Sequence, residues 1–384
     1  MSKVLQHKVV AALPSPLEPD SIYYVRKGAG FDIHVTNGVG VVTAYSLNKT
    51  LPTADFIKPV RGRPLLAKVS PVSVRIPSGL SATVAGQGVV LGADITLSLT
   101  SDLVGSTAVA GTDYFVYLKP DATAYISASD TEADARLIGG FHYGLTGHTE
   151  TPSGNKTEAD MVKLRGINAH TFWDLTWRAN KHTNRGLTFD GINWIDIYLA
   201  DEEYAVRGWS KAGGWIAGGT ISNGRKFPVI PDMFGGNGVA TYGKLTPFVA
   251  WDMLNAAGME PINYKQFAHA MYGVDEGLPA AGIETVIGKI EHYPRLTSRY
   301  GVEQATGVQW IWGADFGSSS EGSWQGIADS RGLVYSGVTV SLYGAYRADA
   351  VGRPGSRASA WYNGLTNSAW HIGVRGLRDH LTLD

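Results

Sequence analysis

The 384-residue sequence contains no cysteine. Disulfide frameworks, zinc–thiolate sites and thiol catalysis are therefore excluded. Charge is scarce as well: Asp, Glu, Lys and Arg make up 17% of the chain, against about a quarter in an average protein, and the formal net charge is −1. No overall field is available to recruit nucleic acid or an anionic membrane. No run approaches twenty apolar residues, so no membrane insertion is expected, and residues 1–19 lack the continuous apolar stretch of a secretory signal. The ten histidines are scattered without a metal-ligand spacing. Tryptophan is missing from the first 172 residues, and all eleven lie between Trp173 and Trp370. Such a division implies at least two kinds of module.

Glycine is abundant, at 48 residues, and the chain reads as β-structure with many turns. Residues 1–50 carry three short strand-like runs, Ser21 to Arg26, Phe31 to Thr36 and Gly40 to Tyr45, with an Asn37-Gly38 turn between the last two. Three short strands bury little core, so this module is expected to trimerise or wrap a partner. Pro52 and a Pro/Arg-rich connection at 58–64 mark a boundary. Residues 51–165 predict a β-sandwich, with strands at 71–76, 93–100, 113–118 and 137–143 and a polar linker at 146–160.

From 166 to 384 the pattern becomes irregular and Trp-rich. Strand-like runs at 173–177 and 194–199 sit among Gly-rich loops. Two helices are predicted: Pro247 to Ala257, with Thr246 as N-cap and Gly258 past its end, and Asn263 to Met271, capped by Asn263 and stopped by Gly273. Strands with two helices make this an α+β domain of low regular content. From Tyr343 to Asp384 aromatic, polar and small residues follow one another without helical or strand period. This is the composition of a binding surface on a held scaffold rather than of a core.

Several segments carry a resemblance. Gly235-Gly236-Asn237-Gly238, Pro261-Ile262-Asn263-Tyr264, Gln309-Trp310-Ile311-Trp312-Gly313, Gly355-Ser356-Arg357-Ala358 and Val374-Arg375-Gly376-Leu377 occur in that order. The order resembles the C-type lectin fold shared by formylglycine-generating-type proteins and the variable proteins of diversity-generating retroelements. Gly139-Gly140-Phe141-His142-Tyr143, Arg185-Gly186-Leu187-Thr188 and Arg378-Asp379-His380-Leu381 narrow the likeness to receptor-binding proteins of phage tail fibres. The resemblance covers about residue 130 to the end and is weaker over 1–50. It implies a mainly β protein with an N-terminal β-prism-like module, a β-sandwich and an α+β C-type lectin-fold C-terminal domain, assembled as an intertwined homotrimer. The implied partners are a host cell-surface receptor, protein or glycan, and other tail-fibre proteins of a virion.

In that family the variable, receptor-contacting residues lie within the last fifty or so positions. The resemblance places them, within a region of about 343–378, at Ala360, Tyr362, Asn363, Asn367, Ala369, His371 and Ile372, and upstream of Gly355 at Tyr346, Arg347, Asp349, Ala350, Val351 and Arg353. Tyr offers stiff contact area, and Asn and Arg offer adaptable hydrogen bonds. The competing reading of Tyr362 and His371 is packing. Trp361 and Trp370 are expected as scaffold, and Arg357 and Arg375 as buried braces on backbone carbonyls.

No enzymatic activity is expected. The oxidase chemistry of the formylglycine-generating branch needs cysteine. A lectin calcium loop is not found: Glu18-Pro19-Asp20 comes close but lies far outside the lectin-like region, the nearest match within it, Glu260-Pro261-Ile262, lies at a helix start, and no Trp-Asn-Asp triplet exists. No cofactor is required, although a structural calcium held by loop carboxylates is compatible with the sequence. The alternatives are a tail-spike glycan hydrolase, for which Asp315 and Asp201-Glu202-Glu203 (otherwise a solvated turn) are the carboxylates at hand, and a displayed ligand-binding variable protein of a bacterial or prophage retroelement.

Overall fold

The computed structural model describes residues 6–27, 30–44, 55–144, 166–181, 183–318, 323–326, 333–335 and 337–382. Pro52, Tyr45 and the polar stretch 146–160 lie outside them. The chain is mainly β, with three short α-helices among the described residues.

The first strands, β1 (Gln6–Val10), β2 (Ser21–Lys27), β3 (Gly30–Thr36) and β4 (Val42–Ala44), form one sheet in that order. β1 runs parallel to β2, and the other pairs are antiparallel. Asn37 holds the β3–β4 turn by accepting from the N–H groups of Val39 and Val41. Among the described hydrophobic residues of this sheet only Tyr23 is fully buried, while Val9, Val39 and Val41 are exposed.

The second group of strands comprises β5 (Phe56–Ile57), β6 (Ala67–Ser70), β7 (Ser73–Ile76), β8 (Ser81–Val84), β9 (Gln87–Val90), β10 (Ile95–Ser98), β11 (Thr112–Leu118), β12 (Ala124–Ser127), β13 (Arg136–Gly144), β14 (Gly166–Ile167) and β15 (Trp173–Asp174). They make three sheets, β10-β7-β6, β5-β8-β9 and β12-β11-β13-β14, with β15 also on β13. Alternating apolar side chains (Val74 and Ile76, Ala82 and Val84, Tyr114 and Val116) face a shared core with Ile138, Phe141, Ile167 and Phe172. The sheet thus continues to residue 174, beyond the boundary at 165 that the composition suggests. Gly139 and Gly140 allow β15 to close on β13: a Cβ at Gly139 would stand 2.4 Å from the Trp173 carbonyl oxygen.

The remainder is built on two further sheets. In the first, β16 (Trp177–Ala179), β26 (Gly376–Thr382), β18 (Asn193–Asp196) and β17 (Leu187–Phe189) are neighbours, with β19 (Glu260–Pro261) also on β26. The last strand therefore closes the unit against its first ones. The second has the order β24 (Ser359–Gly364), β23 (Val338–Tyr343), β20 (Trp310–Ser318), β25 (Ile372–Gly373). Between β20 and β23 lies a hairpin of β21 (Trp324–Gly326) and β22 (Leu333–Tyr335).

Helix α1 (Tyr204–Arg207) is a single turn, followed by α2 (Pro247–Ala256) and α3 (Tyr264–Ala270). The caps of α2 and α3 are those the sequence predicts: Thr246 accepts from Val249 N–H, and Asn263 with Gln266 forms a capping box. α2 packs with Trp194 and Trp312 in one core, and α3, through Phe267, with Ile262 and Tyr343 in another.

Two expectations are corrected. Glu260-Pro261 is a two-residue strand on β26 rather than part of a helix start, and Glu260 pairs with Arg378 at 2.6 Å. Asp201 is not a solvated turn residue: it is 2% exposed and pairs with Arg207 at 2.7 Å, which closes α1.

Candidate binding face

Strand β24 is the edge of its sheet, and its register against β23 is uneven. Leu342 pairs with Ala360 and Val340 with Asn363, so Trp361 and Tyr362 together oppose Ser341 alone. This is a β-bulge, and it breaks the in–out alternation. Two consecutive aromatic side chains consequently face outward, Trp361 at 42% and Tyr362 at 80% exposure, while Ala360 and Asn363 on either side turn inward. The bulge is held by the Thr339 hydroxyl, which donates to the Trp361 carbonyl at 2.8 Å.

The loop joining β23 to β24 carries the upstream positions, and residues 276–284 anchor it. Arg347 N–H bonds the Val308 carbonyl, and its own carbonyl accepts from Ala281 N–H. The Arg347 side chain bonds the buried Glu284 carboxylate. Glu276 accepts from the Ser356 N–H at 2.9 Å and its hydroxyl at 2.6 Å. Asp349 accepts from Tyr346 N–H at 3.0 Å, an Asp-capped turn. Between these tethers Ala350, Val351 and Arg353 stand in solvent, Val351 at 85% exposure.

A third segment, 367–372, joins the loop through aromatic contacts. The Tyr346 and His371 rings lie 4.8 Å apart, and Trp370 meets both nearly edge-on. Burial, with Arg225 adding to it and Asp349 opposing it, lowers the pKa of His371, favouring the neutral imidazole. Ile372 is buried in β25, and Ala369 is half-buried, its carbonyl accepting from Gly219 N–H. Asn367 is exposed, and its amide donates to the Asn363 side-chain oxygen at 3.1 Å.

The thirteen positions thus divide by burial. Ala350, Val351, Arg353, Tyr362 and Asn367 are exposed; Tyr346, Arg347, Asp349, Ala369 and His371 are half-buried; Ala360, Asn363 and Ile372 are buried. Two scaffold expectations change. Trp361 is exposed because of the bulge, although its ring edge still meets Tyr264 and Tyr343. Arg357 is exposed rather than a buried brace, and it is its carbonyl that accepts, from the Tyr264 hydroxyl at 3.2 Å. Arg375 is the buried brace, donating to the carbonyls of Asp196, Ile197 and Glu303.

The carboxylates weighed for hydrolysis are committed elsewhere. Asp315 accepts from Tyr264 N–H and the Tyr343 hydroxyl, and burial together with that bond raises the Tyr343 pKa. Asp201 is taken by Arg207. Among the described residues no three His, Asp or Glu side chains converge as a metal site. What the face offers is apolar and aromatic area with amide and guanidinium hydrogen bonds at its edge, which suits non-covalent contact.

Residues 64–174 match the family model for the Mtd second domain. Along 344 residues, 86% of this chain and 85% of the relative, the sequence is 29% identical to the tail fiber receptor-binding protein of Bordetella phage BPP-1. The fold matches the solved structures of the Major Tropism Determinant M1 variant, with a TM-score of 0.78, and I1 variant, with a TM-score of 0.79, each at 26% identity over 99% of this chain and 100% of theirs. Over nearly its whole length, the chain is similar to the solved major tropism determinants.

Proposed function

We propose that this chain is a tail-fibre receptor-binding protein that sets the tropism of a bacteriophage by adsorbing it to a surface receptor of the host. The carrying observation is the match to solved major tropism determinants over 99% of the chain and to a tail fiber receptor-binding protein over 86% of it. The contact face is the surface formed by Tyr362, the 346–353 loop and the 367–371 segment, with Trp361 and Arg357 added from their exposure. Its action is binding, not catalysis, and it needs no cofactor. Its place is the virion, at the tip of a tail fibre, alongside other fibre proteins.

The C-terminal unit is read as a C-type lectin fold and the working form as a homotrimer. The N-terminal sheet supports a trimer: among its described hydrophobic residues only Tyr23 is fully buried while Val9, Val39 and Val41 stand in water, so it gains stability when copies cover one another. Three faces per trimer convert modest contacts into firm adsorption by avidity. Purified protein should label host cells saturably and, added in excess, block plaque formation by the phage that encodes it. Undiminished plaque numbers under saturating protein would reject the reading.

A further inference from the structure

A cleft lies where the second group of strands meets the C-terminal unit, and none of the thirteen face positions lines it. One wall follows from the alternation of β11. Tyr114 and Val116 face the strand core, so Phe115, between them, points the other way. Phe115 joins Leu137, Trp173, Leu175 and Trp209 around a cavity of about 460 Å³. That size falls within the roughly 300–1,000 Å³ of small-molecule pockets. The rings are braced: the Arg185 guanidinium stands 4.8 Å from the Phe115 ring centroid and 4.9 Å from that of Trp209. Arg185 is itself held by Asp130 at 3.2 Å.

Asn184 lines the same cavity and is 5% exposed. Its side-chain oxygen accepts from Ala179 N–H at 3.0 Å, which orients the amide. Its side-chain nitrogen has no hydrogen-bond partner among the described residues. Buried donors are normally paired, so this one calls for an acceptor. The rest of the polar lining is Thr183, one cation, Arg178, and one carboxylate, Asp130, which gives no excess of either charge.

These features select a ligand class. Aromatic rings suit the C–H faces of a pyranose, and sugar hydroxyls both donate and accept. A phosphate would find no cluster of cations, and a purely apolar ligand would leave the Asn184 donor bare. We propose that the cleft is a saccharide subsite for one or two neutral pyranose units. Trp173 and Trp209 are its stacking rings, and the Asn184 amide donates to a sugar hydroxyl. The proposal does not depend on where the receptor contact lies.

The full-length protein is titrated with the methyl glycosides of glucose, galactose and mannose, with N-acetylglucosamine and with maltose, followed by saturation-transfer NMR. At least one should bind with a Kd on the order of 1 mM, as suits ligands of this size. Three variants, each checked for folding by its melting temperature, locate the site. Trp209→Ala removes a ring, and Asn184→Asp keeps the acceptor for Ala179 N–H but removes the donor. Leu175→Trp fills the cleft and takes away no polar group. Each should weaken binding at least ~10-fold, and Leu175→Trp decides the test if either of the others fails to fold. Displacement of the bound sugar by polysaccharide extracted from host cells marks a surface glycan as its source, and no displacement marks free saccharide. Absence of binding by every one of these sugars, or binding that Leu175→Trp leaves unchanged, would overturn the proposal.

Discussion

The imidazole of His142, on β13, stands 2.9 Å from the hydroxyl of Tyr198, in the loop that follows β18. Its other ring nitrogen is 2.8 Å from Asp113, and the same carboxylate accepts from Gly186 N–H at 2.9 Å. With Asp113 taking the Nδ1 proton, Nε2 is left to accept from Tyr198. The clasp therefore joins the second group of strands to the C-terminal unit that presents the face. Tyr198→Phe should cost about 1–3 kcal/mol, because it strips a buried acceptor of its donor. A urea or thermal titration measures this, and an unchanged midpoint would show that the clasp carries no load.

Arg375 is the second structural anchor. It is fully buried and holds carbonyls from 196–197 and from 303. Burial lowers its pKa to about 10, with Asp196 and Glu303 opposing, which leaves it charged at neutral pH. Arg375→Met should destabilise the protein by roughly 3 kcal/mol or more, because several buried carbonyls lose their donor at once. Soluble yield and melting temperature report it.

Close approach of β15 to β13 yields a third expectation. Gly139→Ala places a methyl group against the Trp173 backbone, which cannot yield without breaking the β13–β15 pairing. A loss of ~2 kcal/mol or more is expected, larger than for an ordinary strand Gly→Ala change. Denaturant melts of the variant measure it.

His170 sets an acid limit. Burial first, and Arg299 second, depress its pKa from 6.5 to about 4. Between those values the unfolded chain binds a proton that the folded one refuses, so stability falls as pH drops from 6.5 through 4 and is intact above 6.5. The loss approaches on the order of 3 kcal/mol at full protonation. His170→Gln should flatten the stability profile between pH 6 and 4.5, and an unchanged slope would contradict the assignment.

Much of this fold was legible where local chemistry is decisive. Thr246-Pro247 and Asn263 with Gln266 announce α2 and α3, and the apolar run of Tyr114 to Leu118 announces β11. The β8–β9 hairpin was not foreseen because Ala85-Gly86 fills its two-residue turn with φ of +46° and +78°, where Asn-Gly would have signalled it. The parallel strand β1 has no turn signal at all, since its partner is β2 across a long connection. At the face, the 346–353 loop and the 367–372 segment meet through Tyr346 and His371, but burial within these segments depends on the β24 bulge. That register shift belongs to the pairing with β23 and leaves no mark in the sequence, so Trp361 was expected inside and Asn363 outside.

Binding to cells of the host strain, measured for wild type and for a Val351→Asp, Arg353→Ala, Tyr362→Ala triple variant, tests the face most directly. All three side chains are exposed, so melting temperature should hold within the few tenths of a kcal/mol typical of surface changes. Cell binding should fall at least ~10-fold, the loss of about 1.4 kcal/mol per face, and further through lost avidity. Binding equal to wild type, with the fold intact, would place the receptor contact elsewhere on the molecule.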